Sequence, residues 1–384
     1  MSNYMPTWAE INLDNILHNY RSMKALTQDG TKVCAIIKAN AYGHGSVSVA
    51  QHLEQNGCDY FGVATASEAL ELRNHGIRTP IMCLSYVEES MYESLIENRI
   101  DIPLFHYETA EKISAVAKRM GAFANIQVKL DTGMSRVGFV YEDKTVDEIE
   151  QISKLDNLVL QGIFTHFAMA DTTERGMTDL QFERYKDIVD QLEARGIYFK
   201  INHVCNSAGI MAYPEYHLDM VRLGISLYGH YPSDEMDESV VELRPAMTLK
   251  TKLTNVKTIE PGAGVSYGHK YHAEQREKLG TMPIGYADGF TRMLSGNADV
   301  QIRGKMYSVV GRICMDQSMV KIDDAVQIGD EVVIFSPQKE LSVERLAEKL
   351  GTINYELLCM VQRRIPRVYY VEGKAIKTVN YLLD

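Results

Sequence analysis

A chain of 384 residues, 45% hydrophobic and 24% charged, is long enough for two domains and too apolar to be disordered. Its 40 basic and 51 acidic residues leave a net charge of −11, a field that repels phosphate backbones and argues against nucleic acid as a partner. No stretch reaches the ~18 apolar residues of a membrane span, the N-terminus lacks an export pattern, and the six cysteines are scattered without a CxxC pair; a cytoplasmic protein with reduced thiols, no membrane partner and no bound metal is expected.

Short apolar runs rich in β-branched residues fall at 33–38, 60–65, 81–86, 101–105, 124–131, 158–167, 201–207 and 220–228. Amphipathic stretches such as VSVAQHLEQNG, SEALELRNHG and TAEKISAVAKRMG separate most of them. Gly57, Gly76, Gly121 and Gly196 close several of these stretches as left-handed caps. Apolar strands alternating with amphipathic helices imply βαβ units and a parallel sheet buried on both faces. Eight units predict an α/β fold, a (β/α)8 barrel of the TIM type, over residues 1–240. Its weakest link is AGIMAYPEY, a poor helix. The acidic segment SDEMDESVVE reads as a linker. Beyond it MTLKTKLTNVKTI, LGTMPIGYAD, DVQIRGKMYSVVGRI, SMVKID and EVVIFS alternate as antiparallel strands do, with one helix at SVERLAEKLG. A mostly β C-terminal domain is expected over 241–384.

In such a barrel the chemistry lies at the C-terminal ends of the strands. Strand one ends at Lys38 in AIIKANAYGHG, after five apolar residues. Desolvation favours the neutral amine, which can attack a carbonyl and form a Schiff base. The plainer alternative is a lysine that snorkels from a strand end, but the glycines and polar groups after it suggest a tight loop lining a site. The ends of strands seven and eight offer Ser207 and the amides around Gly224 and Ile225, the usual place for a phosphate in this fold. An amine at strand one facing a phosphate site at strands seven and eight suits pyridoxal phosphate. Arg222 lies between them, near where a pyridine nitrogen would fall. Arginine only donates, so that nitrogen would stay unprotonated and the cofactor would be a weaker electron sink.

These motifs together carry a resemblance. AIIKANAYGHG, KLDTGMSRVGF, THFAMAD, HVCNSAGI, VRLGISLYG, GAGVSYGHKY, GYADGF, GRICMDQ and NYELLCMVQRRIPRVY occur in the order found in bacterial alanine racemases, from about residue 8 to 369. The chain resembles that family of fold-type III pyridoxal-phosphate enzymes. The resemblance implies a barrel and a β domain, a cofactor of pyridoxal 5′-phosphate, alanine as substrate, supply of D-alanine for peptidoglycan, and a homodimer in which the β domain serves the partner's active site. It implies that Lys38 binds the cofactor and is the base on the D-alanine side. Tyr267 would be the opposing base, supplied by the other subunit. Arg136 and the Met315 amide resemble holders of the substrate carboxylate. Tyr42, Ser207, Gly224, Ile225 and Tyr355 resemble the phosphate shell, and Arg222, with His166 behind it, the partner of the pyridine nitrogen. Lys129 resembles a lysine that is carbamylated in many members and pairs with Arg136. Tyr286 and Tyr355 resemble the gate of an access channel, with Asp171 and Arg292 further out.

Inversion at a stereocentre through a planar carbanion requires an acid–base group on each face. A tyrosine serving there must be tuned below its ordinary pKa of ~10, or lose its proton in concert. Three alternatives stand beside this reading. A racemase for serine or several amino acids differs only by a hydroxyl that small pockets discriminate weakly. A decarboxylase on the same fold would carry a motif resembling CESxD where this chain has GRICMDQ. A non-catalytic carrier of the cofactor would leave the β domain, Tyr267 and Met315 without a role.

Overall fold

The computed structural model describes residues 6–384. They divide into two compact units. One comprises Leu17–Ala41 and Ser46–Leu243; the other gathers the residues up to Ile16, Tyr42–Gly45 and Arg244–Asp384. The first strand, β1 (Thr7–Asn12), belongs to the second of these units and alternates buried with half-buried positions. The family resemblance of the N-terminal region and a boundary at 240 would place it in the barrel. Its alternation, a mark of a sheet covered on one face, agrees with where the chain puts it.

The larger unit is a parallel barrel. Its strands are β2 (Lys32–Ile36), β3 (Tyr60–Val63), β4 (Ile81–Cys83), β5 (Ile100–Leu104), β6 (Ala124–Asp131), β7 (Leu158–Phe164), β8 (Asn202–His203) and β9 (Met220–Leu223), hydrogen-bonded in the order β9-β2-β3-β4-β5-β6-β7-β8. Two backbone bonds, Asp219 N to Asn202 O (3.1 Å) and Arg222 N to Cys205 O (3.0 Å), bring the ends of this path together. Residues of β3, β4 and β5 are buried throughout, as both faces of such strands are covered. Helices follow the strands at Ser46–Gln55, Ala66–Asn74, Tyr107–Met120, Asp143–Ser153 and Gly176–Ala194. AGIMAYPEY does hold a short helix, Ser207–Ala212, capped by Asn206, whose Oδ1 accepts Gly209 N at 2.9 Å; Pro214 then starts a 3-10 turn.

The smaller unit is built on a ten-stranded sheet. Its further strands are β10 (Met247–Lys252), β11 (Asn255–Ile259), β12 (Glu277–Met282), β13 (Asp299–Ile302), β14 (Lys305–Val310), β15 (Ser318–Ile322), β16 (Glu331–Phe335), β17 (Arg367–Val371) and β18 (Lys374–Val379). They lie in the order β11-β12-β15-β14-β13-β16-β10-β1-β17-β18. Every pairing is antiparallel except that of β1 with β17. The expected helix is Val343–Leu350, held by a Ser342 cap and a left-handed Gly351.

Candidate active site

β2 stops at Ile36, two residues before Lys38, and the chain then leaves extended geometry abruptly. Ala39, Asn40 and Ala41 have φ of 51°, 55° and 53° with ψ near 50°, and Tyr42 follows at φ 50°. Together they make one turn of left-handed helix, in which Ala41 N donates to Ile37 O at 2.9 Å. L-residues resist this conformation by ~1–2 kcal/mol each. The surroundings hold the turn in place. One carboxylate oxygen of Glu68 accepts Ala39 N at 2.6 Å, and the other accepts Ala64 N (2.8 Å) and Thr65 N (3.2 Å). Asn40 Oδ1 accepts Ser46 N at 3.0 Å. The strain sits immediately after the lysine assigned to the cofactor, as strained backbone at functional sites often does. The glycines of this loop mark it in the sequence, but no pattern there points to Glu68 or to left-handed alanines.

At the end of β9, Arg222 is buried. Its Nη1 donates to His203 Nδ1 (2.8 Å) and His203 O (3.1 Å). Its Nη2 donates to Thr165 O (2.8 Å), Val204 O (2.9 Å) and His166 Nδ1 (3.2 Å). A guanidinium has no acceptor, so both imidazoles present an unprotonated Nδ1 to it. Burial, then the charges of Arg222, Arg136, Lys129 and Lys38, hold the His166 pKa well below its ordinary value. His166 is therefore neutral, with its proton on Nε2. Burial lowers Arg222 itself to about 10, still a cation at neutral pH. Arg222 Nε makes no hydrogen bond among the described residues. A donor-only group with one free N–H fits the acceptor that an unprotonated pyridine nitrogen supplies.

Ser207 Oγ accepts Gly224 N at 2.8 Å and Ser226 N at 3.5 Å, drawing together the turns after β8 and β9. Ser226 Oγ is buried there without a partner among the described residues. An orphaned hydroxyl beside Ser207 and the Gly224–Ile225 backbone fits a phosphate. On the barrel unit too, Asp131 accepts the amides of Gly133 (3.1 Å), Ser135 (2.9 Å) and Arg136 (3.0 Å) and so shapes the loop that presents Arg136. The Arg136 guanidinium is exposed and has no carboxylate partner among the described residues. Lys129 is buried, donates to Leu130 O at 2.6 Å and lies 5.5 Å from the Phe164 centroid. Burial, with the charges of Arg222 and Arg136, lowers its pKa to about 7. The backbone oxygen of Asp171 accepts the Ser233 hydroxyl.

The remaining assigned residues lie in the β unit. Tyr42 and Tyr355 are neighbours, with ring centroids 6.1 Å apart and planes tilted by 48°. Burial, and then Tyr355, push the Tyr42 phenol up. Tyr267 opens a 3-10 turn after Ser266, which has φ 62°. Ser266 Oγ donates to Arg312 O at 2.6 Å and contacts Cys314 Sγ at 3.3 Å. The same segment receives Tyr286 N on Cys314 O (3.1 Å) and Ala287 N on Met315 O (3.0 Å). Gly285 permits this approach, since a Cβ there would collide with the carbonyls of Cys314 and Met315. The Arg292–Leu294 turn is tied in through Ser295 Oγ, which accepts Ile313 N at 3.0 Å. Residues 312–317 thus collect Tyr267, Tyr286, Arg292 and Met315 on one strand connection. Tyr267 is 71% exposed and Met315 53%. Among the described residues no group of histidine, cysteine, aspartate or glutamate is arranged to hold a metal.

The model of the alanine racemase N-terminal domain matches residues 11–232 and that of the C-terminal domain residues 246–369. Alanine racemase 1 of Clostridium acetobutylicum is 45% identical over 98% of both chains, and the alanine racemase of Methanococcus maripaludis 44% over 95% of this chain and 98% of its own. The structure of the Clostridium difficile alanine racemase superposes with a TM-score of 0.96 at 48% identity, covering 99% of this chain and all of that one. That of the Bacillus anthracis alanine racemase with bound L-Ala-P gives 0.94 at 32% identity over the whole of both.

Proposed function

Because this chain belongs to the alanine racemase family, we propose that it interconverts L- and D-alanine with pyridoxal 5′-phosphate, using Lys38 and Tyr267 as bases on opposite faces of the substrate. The observation that carries the reading is the buried, donor-only Arg222 with its unengaged Nε. Pyridoxal phosphate, when bound, withdraws electrons from the α-carbon of an attached amino acid and makes its proton acidic. Ser207, Gly224, Ile225, Tyr42 and Tyr355 would hold the phosphate, and Lys38 the carbonyl end. Arg222 would donate to the pyridine nitrogen without protonating it, which keeps the charge at the α-carbon short-lived and favours quick return of a proton. Arg136 and the Met315 amide would hold the substrate carboxylate. A carbamate on Lys129 would turn its repulsion with Arg136 into attraction. Tyr286, Tyr355, Asp171 and Arg292 would line the substrate's approach.

His166 is neutral and carries its proton on Nε2, which leaves that N–H to donate to the Tyr267 hydroxyl oxygen of the partner chain and orient it. Tyr267 and Met315 stand exposed on the β unit, which supports a homodimer where each site takes Lys38 from one chain and Tyr267 from the other. The D-alanine made supplies cell-wall peptidoglycan. All six cysteines are free and no described helix is long and apolar enough to cross a membrane, in keeping with a cytoplasmic enzyme.

The test is circular dichroism of L-alanine incubated with the purified protein and pyridoxal phosphate, repeated with L-serine. The signal of L-alanine should decay to zero as the two forms equalise. A signal that persists, or that falls only with stoichiometric release of pyruvate, overturns the proposal.

A further inference from the structure

A polar chain runs inward from Arg222 through the barrel interior and ends on a buried carboxylate. Arg222 fixes His203 Nδ1 as an acceptor, so the His203 proton is on Nε2. That nitrogen lies 3.1 Å from Gln127 Oε1, which must therefore be the oxygen of its amide. Gln127 Nε2 then donates to Asp101 Oδ2 at 2.7 Å. The same carboxylate receives the Tyr60 hydroxyl and, on Oδ1, Asn125 Nδ2 at 3.2 Å. Every donor and acceptor is set by a cation at one end and a carboxylate at the other. A flipped Gln127 amide would oppose N–H to N–H and oxygen to oxygen.

The chain is dry and tightly held. His203 and Gln127 are fully buried and Asp101 is 2% exposed. Phe164 stacks on His203 at 4.8 Å with planes 6° apart. On β7, Gly162 leaves the room Gln127 needs, since a Cβ there would strike Oε1. Apolar side chains of similar size commonly stabilise an interior as well as such a network does, so its placement end-on to one arginine calls for another reason.

We propose that Gln127, backed by Asp101, is a positioning residue for the racemisation: it locks His203, and through it the Arg222 guanidinium, in the orientation that leaves Nε free for the pyridine nitrogen. The inference rests on the reading of Arg222 given above. It explains why the interior of β5 and β6 carries Asp101 and Gln127, neither of which touches the site.

Three variants of the holoenzyme test it. Gln127→Met removes the acceptor while keeping volume. It should lower kcat by roughly ten- to a hundredfold, the range seen when the outer partner of a liganding histidine is lost. KM should stay near wild type, and the share of turnovers ending in pyruvate should rise. In protein labelled with ¹⁵N-histidine, with or without the cofactor, the His203 Nε2–H signal should shift and broaden. Gln127→Glu sets two carboxylates against each other and should be equally slow. Adding Asp101→Asn reverses one bond, lets the Tyr60 hydroxyl turn to accept, and should return most of the lost rate. Wild-type kcat with an unmoved His203 signal in folded Gln127→Met, or a double variant no faster than Gln127→Glu, overturns the proposal. Should Gln127→Met fail to fold, the swap pair, which preserves every side-chain size, decides alone. A normal rate in Arg222→Glu would instead sink the reading of Arg222, whatever Gln127 does.

Discussion

Lys129 and Arg222 share one aromatic ring: the Lys129 Nζ and the Arg222 Cζ each lie 5.5 Å from the Phe164 centroid. Two cations around one ring in a buried space is a costly arrangement, and the weaker base yields. Burial and then Arg222 bring the Lys129 pKa to about 7.

That shift has a sign. In the unfolded chain a lysine titrates near ~10.4, so between about 7 and ~10.4 the unfolded state holds one proton more than the native state. Stability contributed at Lys129 therefore rises with pH across this window, by up to ~1.4 kcal/mol per pH unit. Urea titrations of wild type and Lys129→Met at several pH values, in buffer freed of carbon dioxide, should show the difference growing in favour of wild type. A difference independent of pH removes the argument. With ¹³C-bicarbonate restored, a carbamate carbonyl resonance should appear in wild type and not in Lys129→Met.

Lys38 and Tyr267, the two proposed bases, are 229 positions apart in the chain (267 − 38) and belong to different units. Lys38→Ala should lose the lysine-bound cofactor absorbance, and borohydride should no longer fix the cofactor. Tyr267→Ala should keep both yet lose ~10²–10⁴-fold of the rate of proton removal from L-alanine. Mixing the two inactive variants should restore activity, because a hybrid dimer puts both lesions in one site and leaves the other whole. Exchange confirmed by mass spectrometry with no return of activity refutes a shared site.

Arg222→Glu exchanges a donor for a group that can protonate the pyridine nitrogen. A slower racemase is expected, with new long-wavelength cofactor absorbance during turnover and more pyruvate. An unchanged rate with no such absorbance takes this role from Arg222.

The left-handed turn gives a prediction about stability. Ala39 is exposed, so its substitution changes backbone preference and little packing. Ala39→Val should destabilise by ~2 kcal/mol or more, since a β-branched residue is an outlier at positive φ. Ala39→Gly removes the steric cost of ~1–2 kcal/mol but adds ~0.5–1 kcal/mol of unfolded-state freedom, so it should be neutral or mildly stabilising. Denaturant midpoints decide, and equal losses for Val and Gly would show that the turn stores no strain.

The barrel was legible because its strands are covered on both faces and read as unbroken apolar runs such as VCAII and YFGV. Periodicity says less where the pairing is brief. The run at 201–207 pairs over only Asn202–His203, and that at 220–228 ends at Leu223 before turning. TWAEIN alternates as a half-buried strand should, yet its partners lie some 240 and 360 residues away, beyond any local pattern. Among site residues, Lys38, Arg222 and Ser207 stood out from strand ends. Glu68, Gln127 and Asp101 did not, because each acts through a backbone amide or another side chain, and no motif carries that.

The place of β1 bears on how the molecule is made. Its neighbours, Met247–Lys252 and Arg367–Val371, leave the ribosome long after it does. This early strand is thus among the last to find its hydrogen bonds. The whole barrel sequence, which ends at Leu243, must emerge while TWAEIN waits, its apolar Trp8, Ala9 and Ile11 unburied. A nascent chain stalled anywhere before residue 247 would present that strand to chaperones or to other chains. Expressed from residue 246 onward, the β unit would lack the strand between β10 and β17 and expose two facing edges in the middle of its sheet.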